Sequence, residues 1–197
     1  MKLEIPQGDF EGYIFDCDGT LADSMPLHYR AWLAALKEHE AEFPEALFYE
    51  LGGTPTEQII TILNERHGTN MDPVATARNK ETRYIEMLSE IRPIEPVVNF
   101  VHEFYGKRPL AVASGGHRAI VMKTLEGLGI ADRFDAIVGA EDYRRGKPAP
   151  DPFLEAARQL KVDPRKCLVF EDTRLGCVAA EAAGMQWVLV PSGPGTA

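Results

Sequence analysis

Two patterns of hydrophobic and polar positions alternate along this chain, and they predict different elements. The run GYIF (12–15) is continuously apolar, as in a buried strand, and stops abruptly at Asp16, Asp18 and Gly19 within GYIFDCDGT. From Pro26 the pattern becomes helical: Trp32, Leu33 and Leu36 recur at helical spacing to about His39, with Ser24 or Asp23 as a cap and Pro26 in the first turn. Pro44–Leu51, Thr56–Arg66 and the long, charge-studded Pro73–Ile91 continue in that style. About 70 residues thus pass without a strand signal, which predicts a helical cap inserted after the first strand, with Ile91–Pro96 as its return linker.

After the linker, strands and helices alternate. Leu110–Ser114, Ala136–Gly139, Cys167–Glu171 and Gln186–Val190 read as strands. The helices are Pro96–Tyr105, Ala119–Leu128 closed by Gly129, Pro152–Leu160, and Leu175–Ala183 ended by Gly184. This alternation implies right-handed crossovers and a parallel sheet buried on both faces. The expected fold class is α/β, with residues 1–22 and 97–197 forming the core domain and 23–96 the cap domain; only Pro191–Ala197 reads as loose.

The carboxyl ends of parallel strands share one edge, where open α/β folds bind ligands. Asp16 and Asp18 end the first strand and, two residues apart, face the same side while Cys17 faces away. Ser114 ends the second strand, Lys147 follows the third, and Glu171 with Asp172 end the fourth. Each has an ordinary explanation alone: Ser114 as a helix cap, Lys147 as a loop lysine, the acidic pair as complements to a helix dipole. Together they describe phosphoryl transfer. Asp16 is the candidate nucleophile, Asp18 the acid and base, and Ser114 with the amides of Gly115 and Gly116 a phosphate cradle. Lys147 supplies fixed positive charge to the nucleophile and phosphate.

Charge then implies a cofactor. Four carboxylates and a phosphate dianion carry about −6, of which Lys147 recovers one unit; a divalent cation and a proton on Asp18 bring the total to about −2. Hard oxygen donors beside a phosphate point to Mg2+ between Asp16 and Asp172, with Glu171 near it and the Asp18 carbonyl as a further ligand. An EF-hand counted from Asp16 fails, because Leu21 and Leu27 occupy its glycine and glutamate positions. No GxGxxG occurs, and Gly139–Lys147 lacks P-loop spacing.

These motifs, DCDGT, the ASGG serine, the GKPAPD lysine and the FED acidic pair, together resemble the haloacid dehalogenase superfamily of phosphotransferases, and most closely its β-phosphoglucomutase-like subgroup. The resemblance runs through FEDTRLGCVAAEAAGM (170–185) and implies a Rossmann-like core with a five-stranded parallel sheet beneath an inserted α-helical cap. Asp18 argues for phosphoryl transfer, since dehalogenases of the superfamily lack that acid and base. The resemblance also sets His28, Gly53, Thr54 and Lys80 of the cap against the substrate, with His28 alternatively supporting Asp18 and Lys80 open to reading as a solvated lysine. Where the mutases carry an arginine for a second phosphate, LGGTPTE places Thr56, which favours hydrolysis of a small sugar phosphate over a β-phosphoglucomutase reaction. A non-catalytic phosphate-binding module would lack one of the motif residues, and none is missing.

Composition narrows the partners. The 197 residues are 45% hydrophobic and 26% charged, as in an ordinary globular protein. A net charge of −9 without a basic block argues against nucleic acid, and leaves any anionic substrate to be held by local cations. Three scattered cysteines without a CxxC pair suggest a reducing cytoplasm, and neither a membrane span nor a signal-peptide core is expected. The expected partner is a small phosphorylated metabolite, and the expected state a monomer or weak dimer.

Overall fold

The computed structural model describes residues 3–39, 41–52 and 54–191. Five strands, β1 (Gly12–Phe15), β2 (Leu110–Ala113), β3 (Ala136–Val138), β4 (Cys167–Glu171) and β5 (Gln186–Leu189), form one sheet in the order β3-β2-β1-β4-β5. Every neighbouring pair is parallel, as the alternating pattern predicts. The apolar run of β1 takes the central place, with all four residues buried. Phe15 lies opposite Val112 on one side and Phe170 on the other.

Because successive side chains leave a strand on opposite faces, the sheet builds two cores. On one face Tyr13, Phe15, Val112 and Phe170 pack against α5 (Glu95–Phe104) and α6 (Arg118–Gly127). On the other, Ile14, Ala111, Ala113 and Val169 meet α7 (Asp151–Leu160) and α8 (Arg174–Ala182) through small residues such as Ala156, Ala157, Ala179 and Ala180. The chain moves outward from β1 to β2 and β3, then crosses back to β4, so the order reverses beside β1, where a ligand crevice is expected.

Between β1 and α5 lie α1 (Met25–Leu36), α2 (Glu45–Glu50), α3 (Thr56–His67) and α4 (Pro73–Glu86). They enclose an apolar cluster of their own that includes Trp32, Leu36, Phe43, Phe48, Ile60 and Leu63. The helix expected to run from Pro73 to Ile91 stops at Glu86 and gives way to a 3-10 turn at Leu88–Glu90. Packing explains the break: Tyr84 and Ile91 must both reach one cluster with Ala22, Leu27 and Ala31, and Ile91 adopts an extended conformation to do so. The chain then runs antiparallel beside its own exit, with Ala22 bridged to Pro93 and the Asp23 amide donating to the Arg92 carbonyl at 2.9 Å. Of the tail read as loose, residues 192–197 lie outside the described residues. Among the described residues, no helix is long and apolar enough to cross a membrane.

The centre of the sheet should be the least tolerant position. Phe15 is fully buried and stacks on Phe170 with ring centroids 4.7 Å apart. Phe15→Ala is expected to lower unfolding stability by about 3–5 kcal/mol in urea titrations. Val178→Ala on the exposed side of α8 should stay within about 0.5 kcal/mol of the parent.

Candidate active site

The site begins where β1 runs out of partners. The Asp16 amide still donates to the Phe170 carbonyl at 2.9 Å, after which the Cys17 carbonyl accepts from the amides of Leu21 and Ala22, both at 3.0 Å, and reverses the chain. Gly19 makes that reversal with φ of 85°, a conformation open to glycine at little cost. Cys17 points into the core while Asp16 and Asp18 both line one cavity, as the two-residue spacing predicts. The cavity, of about 100 Å3, lies between the carboxyl edge of the sheet and the helical layer, with Met25, Trp32, Phe48 and Ile59 as its apolar wall.

Lys147 reaches this edge from the loop after β3. Its side chain is 4% exposed, and Nζ donates to Asp16 Oδ1 at 2.6 Å and Glu171 Oε1 at 2.5 Å. The other oxygen of Glu171 accepts from the amide and hydroxyl of Thr173 at 2.6 and 2.8 Å. The Thr173 hydroxyl in turn accepts from the Gly176 amide at 3.0 Å and so caps α8. Gly176 is required for this arrangement, because a Cβ there would collide with the Glu171 carboxyl group. Thr20 donates to Asp172 Oδ1 at 3.4 Å.

Asp16, Glu171 and Asp172 are buried, and each offers an oxygen within 4.8 Å of the others. Burial works against the charge of Lys147, but Asp16 and Glu171 outweigh it and hold the ammonium protonated. Burial also pushes the Asp16 carboxyl well up; Lys147 opposes that shift, while Glu171, Asp172 and Asp18 add to it. One lysine therefore leaves a surplus of negative charge over three hard oxygen donors. A divalent cation fits that donor set and would remove the surplus.

Asp18 has a different environment. Ser24 donates to its Oδ1 at 2.6 Å, and His28 Nε2 lies 2.9 Å from the same oxygen. On the far side of the ring, His28 Nδ1 is 2.9 Å from Lys80 Nζ, and the ring stacks on Tyr84 with centroids 3.8 Å apart. A charged lysine can only donate, so Nδ1 accepts and Nε2 carries the proton that goes to Asp18. Burial alone would raise the Asp18 pKa, but the interaction with His28, the Ser24 hydroxyl and the Lys80 charge bring it below the usual carboxylate range. Burial lowers Lys80 to about 8, against the pull of Asp18, Glu81 and Glu57.

Most of the sequence-derived residues converge. Ser114, Gly115, Lys147, Glu171, Asp172, His28, Thr54 and Lys80 all join Asp16 and Asp18 in the cavity lining, whereas Gly53 lies outside the described residues. Ser114 does not cap the next helix; its hydroxyl accepts from the Gly116 amide at 3.1 Å, and α6 begins only at Arg118. Ser24, expected as a cap for α1, occupies the N-cap position without making the capping bond, because its hydroxyl is drawn to Asp18. That role, and those of Tyr84 and Thr173, are not visible in the motifs, since each depends on an element distant in sequence or on a side-chain rotamer.

The helical layer and the sheet layer also meet through a histidine. His117, at the N-cap of α6, has Nε2 3.2 Å from Glu57 on α3 and Nδ1 3.5 Å from Glu141 in the turn after β3. Burial works against its charge, but Glu57, Glu81 and Glu141 prevail and raise its pKa above 6.5.

With this geometry established, comparisons with known proteins are informative. The family described as haloacid dehalogenase-like hydrolase matches residues 13–190. The chain is 39% identical over 180 residues to the fructose-1-phosphate phosphatase YqaB of Escherichia coli (strain K12), covering 91% of this chain and 95% of that protein. It is 28% identical over 180 residues to a phosphorylated carbohydrates phosphatase of Thermotoga maritima, covering 89% and 82%. Among solved structures, CbbY from Rhodobacter sphaeroides in complex with phosphate is similar with a TM-score of 0.84 and 25% identity, over 90% of this chain and 84% of that one. β-Phosphoglucomutase from Clostridium difficile shares the fold, with a TM-score of 0.82 at 24% identity over 90% and 83%.

The His117 bridge makes a prediction about pH. Because the folded-state pKa is raised, its stabilising contribution is complete below pH 6.5 and is lost as the pH climbs through the raised value. An NMR titration of the His117 ring should give a pKa above 6.5 that falls when Glu57→Gln removes the cap-side partner. An unchanged value in that variant would show that the bridge does not form in solution.

Proposed function

Since the chain belongs to the haloacid dehalogenase-like hydrolase family, we propose that it is a Mg2+-dependent phosphatase acting on a small sugar phosphate through a phosphorylated Asp16. The observation that carries this reading is the placement, on one cavity, of two carboxyls with opposite environments: Asp16 paired to Lys147 within an acidic cluster, and Asp18 held by Ser24 and His28. Neighbouring carboxyls tuned apart in this way are suited to separate chemical roles.

Asp16 attacks phosphorus as a carboxylate, the form that Lys147 and a bound divalent cation would favour against burial, and releases the sugar oxygen. The Ser114 hydroxyl and the Gly115 and Gly116 amides receive the phosphoryl oxygens, beside the N-terminus of α6. Asp18 is ionised before substrate arrives; the approaching phosphate dianion raises its pKa, so it takes up a proton and gives it to the leaving oxygen. It then removes a proton from the water that hydrolyses the acyl phosphate. Lys80 and His28 orient Asp18 from the helical layer throughout. Asp16 and Asp172, with the Asp18 carbonyl, would hold Mg2+, which when bound stabilises charge on the phosphoryl oxygens. Glu171 stays close but spends its oxygens on Lys147 and Thr173.

Residues 23–96 act as a cap over a core of 1–22 and 97–197, opening and closing where the chain crosses between layers to admit substrate and exclude water. A sugar phosphate as substrate is supported by the phosphatases of phosphorylated sugars among the relatives. Thr56, at the position read as replacing the mutase arginine, lines the cavity and supports hydrolysis over mutase chemistry.

The test is phosphate release from fructose 1-phosphate, glucose 6-phosphate and β-glucose 1-phosphate, with Mg2+ and with chelator. Release should require the metal and fall about a thousandfold or more in Asp16→Asn. Asp18→Asn should cost about a hundredfold to ten-thousandfold. Isomer formation from β-glucose 1-phosphate on adding a sugar bisphosphate, without free phosphate from any substrate, would make the protein a mutase instead.

A further inference from the structure

The cavity carries one carboxylate that the phosphoryl-transfer chemistry leaves unused. Glu81 follows Lys80 on α4, is partly buried and lines the cavity with Thr54 and Thr56. Among the described residues it accepts no hydrogen bond and has no ion-pair partner within 4.0 Å. Its electrostatic neighbours are Lys80, His117, Glu57 and Arg78, whereas those of Asp16 are Lys147, Glu171, Asp172 and Asp18. The two carboxyls therefore belong to different ends of the cavity. Burial pushes the Glu81 pKa up, as expected of a carboxyl that has given up water without gaining a protein donor.

Arg78 is exposed and outside the cavity lining, and the other cations near this end are committed elsewhere. Lys80 is bonded to His28, and His117 stands between Glu57 and Glu141. The Arg118 guanidinium grips both oxygens of Asp142, at 2.6 and 3.3 Å. Glu57, Glu81 and Glu141 set negative charge against these cations, in a chain whose net charge is −9. An anion arriving here meets the Glu81 carboxylate in the cavity wall, while the charge of Arg78 stands outside that wall. A hydroxyl, by contrast, meets an acceptor with no competing donor, and hydrogen bonds to a charged acceptor are the strong ones.

We infer that Glu81 selects the substrate: it accepts hydrogen bonds from hydroxyls at the non-reacting end of a sugar monophosphate and rejects sugars that carry a second phosphate there. The inference rests on the phosphatase reading and gives that site a narrower substrate class, polyhydroxylated monoesters with an uncharged tail. Attraction to hydroxyls and repulsion of an anion act together, as discrimination between similar ligands commonly requires.

The experiment compares kcat/KM for fructose 1-phosphate and fructose 1,6-bisphosphate, with p-nitrophenyl phosphate as a substrate lacking a hydroxylated tail, in the wild type, Glu81→Gln and Glu81→Lys. The wild type should prefer the monophosphate about tenfold or more, and the preference should shrink at high salt. Glu81→Gln should cut that preference about fivefold or more, largely through KM, and Glu81→Lys should cut it further. A preference within about twofold of the wild type in both variants would overturn the inference, since rejection of the bisphosphate would then come from elsewhere. If the wild type releases phosphate from none of the three substrates, the phosphatase reading fails, and this inference with it.

Discussion

A buried ammonium between two carboxylates organises this molecule. Lys147 comes from the loop after β3, Asp16 from the end of β1 and Glu171 from the end of β4, so one side chain fixes three strand ends to one another. Such a triad is not a source of large net stability, because desolvation of the charges offsets much of their attraction. Its value is geometric: removing the lysine would strand two carboxyls in a dry interior. The sheet supplies the burial that makes this interaction strict, and the interaction in turn ties the loop after β3 to the ends of β1 and β4, where the chain order reverses.

Asp18, two residues from Asp16, is governed from the opposite layer. Ser24 and His28 at the start of α1 and Lys80 on α4 determine its charge, and Tyr84 braces the imidazole from below. The two aspartates thus answer to different parts of the fold. One is held by groups at the strand ends and in the loop after β3; the other is held by groups of the helical layer. The charge of Asp18 is thereby tied to groups that also line the rest of the cavity.

The sheet was legible in the sequence because a parallel strand buried on both faces leaves an uninterrupted apolar run, and a polar residue just after it marks the functional edge. Asp16, Ser114 and Asp172 could be read in that way, and Lys147 from the GKPAPD run in the longer loop after β3. The helical layer was less transparent. The end of α4 at Glu86 depends on where Tyr84 and Ile91 must pack, and Ser24 carried every mark of a helix cap until Asp18 claimed its hydroxyl. Glu81 does not stand out in the sequence, because a glutamate beside a lysine on a charged helix looks solvated. The available signal was helical phase: Thr76, Lys80 and Tyr84 are buried at intervals of four, which places residue 81 at the margin of the inward face.

The pairing of Ala22 with Pro93 has an architectural meaning beyond its two hydrogen-bonded neighbours. The chain leaves the sheet layer and returns to it at adjacent points, so to the strands below, four helices amount to little more than a long turn. A segment attached in that manner can be lengthened, rebuilt or exchanged while the strands keep their register, because almost none of the sheet's own pairing passes through it. The fold therefore lets the strand ends and the helical roof be altered separately, because the roof joins the sheet at one place.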